Sequence, residues 1–185
     1  MVIALIVIAV VVVLLIVWLI SAYNGLIRRR NQIENAWSQI DVQLKRRLDL
    51  IPNLVETVKG YAAHERDTLD AVIRARNSAL AAPDTPGAQA APNAELSGAL
   101  GRLIALSESY PDLKANQNFL ALQEELTATE GRVAYARQFY NDSVLDYNNK
   151  LQQFPTMFYA RRLNFDKREY FEADEAARVA PTIEF

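Results

Sequence analysis

The chain has 185 residues, of which 51% are apolar and 23% are charged, and 20 basic side chains stand against 22 acidic ones. The first charged side chain is Arg28, so the charged residues are confined to the remainder of the chain. This composition excludes a disordered polyelectrolyte, a cysteine-stapled secreted scaffold and a strongly basic nucleic-acid-binding protein.

The first predicted element is a transmembrane helix. Residues 2–20 are all apolar, and a helix of about 20 residues spans the roughly 30 Å hydrocarbon core of a bilayer. Each central Leu, Ile or Val favours insertion by about 0.3–0.6 kcal/mol, and no charge opposes it. A cleaved signal peptide is disfavoured because the basic start, the short apolar core and the small-residue cleavage site are missing. We therefore predict a retained single-pass anchor over residues 1–27.

Side chains at the end of this span indicate the membrane boundary and its orientation. Two amphipathic rings suited to the headgroup layer are followed by three basic residues: Trp18, Tyr23, Arg28, Arg29 and Arg30. Basic residues stay in the cytoplasm, so we expect the N-terminus outside and a cytoplasmic domain over residues 28–185 at the cell (inner) membrane. We also expect the three arginines to contact membrane lipids.

The next element is a long helix at about residues 28–80. From Ile33 to Ala62 the apolar side chains recur every 3.6 residues or about one helical turn, which predicts one buried face. Pro52 interrupts the pattern, because proline cannot donate to the carbonyl of Leu48 and its ring crowds that carbonyl. We expect a kink at Pro52, or two helices.

The rest of the chain is also predicted to be helical. Three prolines and a glycine indicate a loop at residues 81–92. Helices follow at about 93–109 and 112–153, and one or two short ones within 156–178. The apolar residues of the 112–153 segment recur about every 3.5 residues, a period typical of bundles and coiled coils. The fold class is therefore all-α, with an N-terminal transmembrane helix followed by a bundle.

Catalytic and metal-binding motifs are missing from the sequence. The segment that begins at His64 has Thr68 where an H-E-x-x-H zinc site requires a second histidine. A single histidine cannot supply a di-iron bundle, and neither a serine-triad elbow nor a phosphate-binding loop is found. We expect no catalytic residues, metal or cofactor, and a solvated or singly hydrogen-bonded His64. An enzyme that uses carboxylates alone stays an alternative.

Polar and aromatic side chains of the 112–153 helix are candidates for a binding surface. Asn141 and Asn148 are seven residues apart and share a face, where buried amides fix helix register or a partner interface. An exposed face is the alternative. A ligand pocket could use the aromatic residues of this helix, but at helical spacing we favour a core role for them; they are Tyr135, Phe139, Tyr140 and Tyr147.

Several long segments of the chain resemble the LemA family. They read AWSQIDVQLKRRLDLIPNLVETVKGYAAHE (36–65) and SYPDLKANQNFLALQEELTATE (109–130), followed by ARQFYNDSV, DYN and YFE. The resemblance implies an elongated bundle of long antiparallel helices behind one N-terminal span, in a membrane-associated family without an established molecular activity. Some relatives occur near membrane proteases or in membrane-organelle formation, which suggests scaffolding.

Two positions depart from the pattern of the family. Members often have His where this chain has Leu48, which indicates a packing role for that position rather than a chemical one. The sequence Arg162-Leu163-Asn164-Phe165 also differs from the Gly-Phe that members tend to show before the YFE segment.

We predict a non-enzymatic membrane-anchored scaffold or adaptor. It would form homo-oligomers or recruit a membrane protein partner, with membrane lipids as its other contact and no nucleic acid. One alternative is a signal-coupling input module that acts through Pro52 on a kinase or a membrane protease. Another is a lipid or ligand carrier that uses the aromatic face of the 112–153 helix.

Overall fold

The structure, a computed structural model, describes residues 1–172, and these contain helices and no strand. The helices are α1 (Val2–Lys59), α2 (Arg66–Ala81), α3 (Pro86–Ser107), α4 (Pro111–Lys114), α5 (Gln117–Gln152) and α6 (Thr156–Tyr159), followed by a 3₁₀ turn at Arg161–Leu163. Residues 165–172 have no regular structure. The predicted all-α fold, an N-terminal apolar helix followed by further helices, is confirmed.

The helix α1 contains both the apolar span and the first predicted stripe. At 1.5 Å per residue it is about 87 Å long. Residues 2–20 are exposed, and the apolar window that could cross a membrane has none of its residues buried within the chain. A core helix of a soluble domain would bury such a window, so the exposure indicates a single-pass membrane anchor. The buried face of α1 begins at Leu26.

The helix α5 packs antiparallel along α1. As the residue number of the contact increases along α1, the residue number of its partner on α5 decreases. The pairs are Arg29 with Asp146, Gln32 with Ser143, Trp37 with Tyr140, and Arg47 with Glu130. This pair forms the axis of the domain. The helices α2 and α3 pack on each other and cover the far half of α1.

Two clusters of apolar side chains form the core. The distal cluster joins the end of α1 to α2, α3 and the start of α5, and its fully buried members include Ile51, Leu54, Val58, Val72, Leu96, Leu103 and Phe119. The span-proximal cluster joins α1 to α5 and the C-terminal segment, and includes Leu26, Ile40, Val144, Tyr147, Phe165 and Phe171. Leu48 lies in the distal cluster, in agreement with a packing role.

One form of the prediction required two helices separated at Pro52, but the helix does not break there. It continues through Pro52 to Lys59, and residues 60–65 form the turn into α2. Pro52 has no backbone N–H to donate to the carbonyl of Leu48. That carbonyl instead accepts a hydrogen bond of 3.0 Å from Arg76 Nε on α2. The missing backbone donor is therefore replaced by a side chain of the next helix. A kink at Pro52 stays a prediction.

Three further boundaries differ from the prediction. Pro86 begins α3, so the predicted loop 81–92 contracts to residues 82–85, because a proline in the first turn loses no helical hydrogen bond and alanines follow it. Asn116 starts α5 by accepting a hydrogen bond from Phe119 N at 3.0 Å, so the 112–153 segment is interrupted near its start. Of the predicted 156–178 helices, only short turns up to Leu163 form, and residues 173–178 lie outside the described part.

Replacing Arg76 with Ala tests the contact at Pro52. We expect the free energy of unfolding to fall by about 1–2 kcal/mol, because the Leu48 carbonyl loses a charge-assisted donor. In a Pro52→Ala background the amide of residue 52 can donate a hydrogen bond to that carbonyl. The cost of Arg76→Ala in free energy of unfolding should then be smaller by about 0.5–1 kcal/mol. Chemical denaturation of the detergent-solubilised protein measures both values.

The control for this cycle is Arg74→Ala, an exposed arginine on the same helix. Its substitution should change the stability by less than about 0.5 kcal/mol. An equal cost of Arg76→Ala with and without Pro52 would contradict the proposed replacement.

Candidate functional site

A groove of about 530 Å³ runs between α1 and α5 on the side that α2 and α3 leave uncovered. It is lined by Ser38, Gln39, Val42, Gln43, Ala128, Gly131, Arg132, Tyr135 and Ala136. The groove exists because α5 presents small residues at Ala128 and Gly131. A Cβ atom added to Gly131 would meet no other atom within 4 Å, so the space above this glycine is open.

The walls of the groove combine exposed apolar side chains with polar groups. The side chain of Tyr135 is 75% exposed and that of Val42 is 56% exposed. Gln43 Oε1 is buried without a hydrogen-bond partner among residues 1–172. Apolar side chains beside a depression occur where proteins bind ligands, lipids or other proteins. The small residues Ala128 and Gly131 would allow another helix to approach this surface closely.

Arg47, on another face of α1, connects three helices. It is buried, and its guanidinium donates to Ser97 Oγ on α3 at 2.8 Å and to Glu130 Oε1 on α5 at 2.5 Å. Burial lowers the pKa of Arg47, and the nearby Glu130 carboxylate opposes that shift. Such a desolvated, paired arginine holds helices in register, and we assign it no ligand.

Asn141 and Asn148 bind the C-terminal strap, which we define as residues 165–172. Asn148 accepts from Arg168 N and donates to Arg168 O, both at 2.9 Å. Asn141 makes the same pair with the backbone of Phe171, at 2.9 Å and 3.2 Å. The shared face was predicted. The side-chain amides on this face bind the backbone of the same chain and so fix the position of the strap along α5.

The aromatic residues of α5 divide between the core and the surface. Tyr140 and Tyr147 are buried, while Tyr135 and Phe139 are exposed. The hydroxyl of Tyr140 donates to the backbone carbonyl of Glu169 at 2.8 Å, and burial raises the pKa of Tyr140 to about 12. The ring of Trp37 packs edge-on against Tyr140 and Phe171. These contacts attach the strap to the core.

The residues predicted at the membrane boundary lie near the C-terminal part of the fold. Trp18 is exposed, and the ring of Tyr23 packs edge-on against Phe165 at a centroid distance of 5.6 Å. The arginines differ in their contacts: Arg28 is exposed, Arg29 pairs with Asp146 at 2.7 Å, and Arg30 pairs with Glu34 at 3.9 Å and lies over the ring of Phe165. Two of the three arginines therefore also bind within the chain.

His64 and the segment before the strap are the remaining positions that the sequence analysis singled out. His64 is exposed in the turn between α1 and α2, not on a helix. Within residues 1–172 no three His, Cys, Asp or Glu side chains are grouped as a metal site. Asn164, before Phe165, has a backbone φ of 57°, a left-handed conformation that glycine adopts freely and asparagine tolerates.

Comparisons with known proteins give one family. The sequence profile of the LemA family matches residues 36–185. The chain is 28% identical over 156 residues to Protein LemA of Metamycoplasma hominis, across 84% of this chain and 71% of that protein. It is 27% identical over 183 residues to the magnetosome protein MamQ 2 of Paramagnetospirillum magneticum, across 85% and 67%. It is 24% identical over 193 residues to the magnetosome protein MamQ of Magnetospirillum gryphiswaldense, across 89% and 71%. None of these names is that of an enzyme.

Replacing Asn148 with Ala tests the strap. We expect the free energy of unfolding to fall by about 1–3 kcal/mol, because two hydrogen bonds to the backbone of Arg168 are lost, each worth about 0.5–1.5 kcal/mol. The amide of Arg168 should also exchange with deuterium faster, which mass spectrometry measures. Asn149→Ala, at the exposed neighbouring position, is the matched control. Equal protection of the Arg168 backbone amide from exchange in both variants would show that the Asn148 side chain does not hold the strap.

Proposed function

This chain belongs to the LemA family, and we propose that it is a non-enzymatic membrane-anchored scaffold whose α1–α5 groove binds a second copy of the chain. The observation that carries the proposal is the groove itself, with the open space above Gly131 and the exposed ring of Tyr135 beside it. The names of the relatives, none of them enzymatic, support the absence of catalysis.

The continuous α1 restricts how two copies can meet. Both copies would be anchored in one membrane, and α1 continues without a break from the anchor into the groove. A pair that keeps both anchors parallel has its two-fold axis along the membrane normal, so residues at equal heights face each other. Tyr135 lies one helical turn from Gly131. Because helical side chains lean towards the N-terminus of their helix, the Tyr135 ring of one copy can reach across that turn into the space above Gly131 of the other.

We propose the cytoplasmic side of the cell (inner) membrane for the helical domain. The support is the run Arg28 to Arg30 directly after the apolar span, since basic residues near a span stay in the cytoplasm. The exposed Arg28 is available to lipid headgroups. The domain includes the groove, so its partner would be reached from the cytoplasm.

A second function is favoured by one observation, the continuity of α1. This single helix connects the span to the distal cluster, and the Leu48–Arg76 contact joins it to α2. A tilt or rotation of the span would reach the far end of the domain. Such a link would suit a signal-coupling input module for a kinase or a membrane protease.

Filling the groove tests the scaffold. In Gly131→Leu we expect pairing to be lost, because the added side chain occupies the space that the partner's Tyr135 would enter. The stability of the single chain should not fall and should rise by up to about 1 kcal/mol, since glycine within a helix is unfavourable. Chemical crosslinking in native membranes measures pairing, and denaturation measures stability.

The matched control is Gly131→Ala, which gives the same gain in helix propensity but adds one carbon only. It should keep the crosslinked pair. Unchanged pairing in Gly131→Leu would contradict the groove as the interface, and a wild-type chain that is monomeric at every concentration would contradict the homo-oligomer.

Protease protection tests the orientation. A protease added to the outside of cells whose outer barrier has been opened should leave the helical domain intact, because the proposed orientation places it inside. Digestion should follow once the membrane is lysed. Cleavage of the domain in unlysed cells would contradict the cytoplasmic placement, and a marker protein of known topology serves as the control.

A further inference from the structure

A patch of large apolar side chains follows α5. Phe154 is 78% exposed and Phe158 is 68% exposed, and their rings contact each other edge-on at 5.9 Å. Met157 and Leu163 are also exposed. These four exposed apolar residues lie outside the span and within ten consecutive positions, 154–163. Water-exposed patches of this kind are uncommon on soluble domains and mark a contact with something apolar.

The patch lies beside the end of the apolar span. Tyr159, Arg162 and Leu163 line a cavity of about 420 Å³ together with three residues of α1, which are Leu19, Ile20 and Tyr23. The edge-on contact between Tyr23 and Phe165 fixes the same juxtaposition on the strap side. Residues 159–163, the second half of this segment, are therefore held next to the last turns of the anchor.

The length of the span places this segment at a defined depth. The apolar run from Val2 to Ile20 rises about 28 Å, which matches the roughly 30 Å hydrocarbon core. Ile20 thus lies at the edge of the core and Tyr23 about 5 Å beyond it, within the headgroup layer. Residues 159–163 contact the cavity at these same heights. They would have to lie within the boundary layer of the bilayer wherever the anchor spans it.

The charges around the patch suit that layer. Arg161 and Arg162 are exposed, and neither forms an ion pair with another described residue. Long basic side chains beside apolar ones keep their stems in the apolar zone and extend the charged group to lipid phosphates. Exposed aromatic and aliphatic side chains interspersed with arginines are typical of a segment that lies in the membrane interface.

We propose that residues 154–163 form a second membrane contact, in which the apolar patch enters the boundary layer and the two arginines bind phospholipid phosphates. The proposal rests on the anchor of the proposed function and does not depend on the groove. Its occupant is lipid rather than protein because Leu163 of the patch shares a cavity with Leu19 and Ile20, at the end of the exposed span. Two contacts, the span and this segment, would hold the α1–α5 pair at one angle to the membrane.

The absence of cysteine allows a direct measurement of depth in the full-length protein. Single variants Phe158→Cys and Leu163→Cys are labelled with a nitroxide and reconstituted in phosphatidylcholine–phosphatidylglycerol vesicles. Electron paramagnetic resonance then compares the accessibility of each label to oxygen, which concentrates in the bilayer, and to a water-soluble nickel complex. Both sites are exposed in the chain, so the substitutions should leave the helical circular dichroism unchanged.

Two further labels calibrate the result. Leu14→Cys reports the middle of the span, and Leu120→Cys reports an exposed position at the start of α5, outside the groove and far from the span. We expect the oxygen-to-nickel accessibility ratio at Phe158 and Leu163 to lie several-fold above that at Leu120 and below that at Leu14. Aqueous values at Phe158 and Leu163, with a buried Leu14 label, would overturn the second contact and leave the anchor standing.

A protein occupant gives a different signal. If the patch bound a second copy, the Phe158 label would be shielded from both reagents and broadened by its counterpart in a concentration-dependent way, which would also overturn the proposal. An aqueous Leu14 label would instead contradict the anchor on which the proposal rests. Each arm therefore separates failure of the second contact from failure of the proposed function.

Discussion

The burial of one face of α1 is the interaction on which the rest of the structure depends. The same helix is apolar on all sides up to Ile20 and on one side only from Leu26 onward. The part that ends at Ile20 must be surrounded by lipid, and the apolar face from Leu26 onward must be covered by other helices, because exposing either surface to water would be costly. The helix α5 covers the nearer part of that face, and α2 and α3 cover the farther part. The order of the domain follows from this division.

The helical stripes could be predicted because burial of one face imposes a local period. Ile33, Ile40, Leu44, Leu48 and Ile51 all lie in the core, at the spacing that the sequence shows. Helix ends were less predictable. Pro52 and Pro86 both signal a break in isolation, yet one is compensated by Arg76 and the other sits where its missing amide has no role. These compensations depend on tertiary contacts or on an exact position within a turn.

The candidate site was only partly predictable for the same reason. The shared face of Asn141 and Asn148 follows from their spacing, but their partners are backbone atoms of a segment far along the chain. The α1–α5 groove depends on which small residues face which helix, and a single glycine such as Gly131 has no local signal that distinguishes a packed position from an open one. The exposure of Phe154 and Phe158 depends on the arrangement of the helices around them, so their apolar character did not predict it.

The length of α1 beyond the span has a mechanical consequence. From Arg28 to Lys59 the helix rises about 47 Å, and the antiparallel α5 stiffens most of that distance. The turn at residues 60–65 is therefore carried to the far end of this helix, while the loop between α2 and α3 returns to the height of Trp37. A membrane neighbour with a domain of comparable height would meet this turn first, at a distance from the anchor that the number of residues in α1 determines.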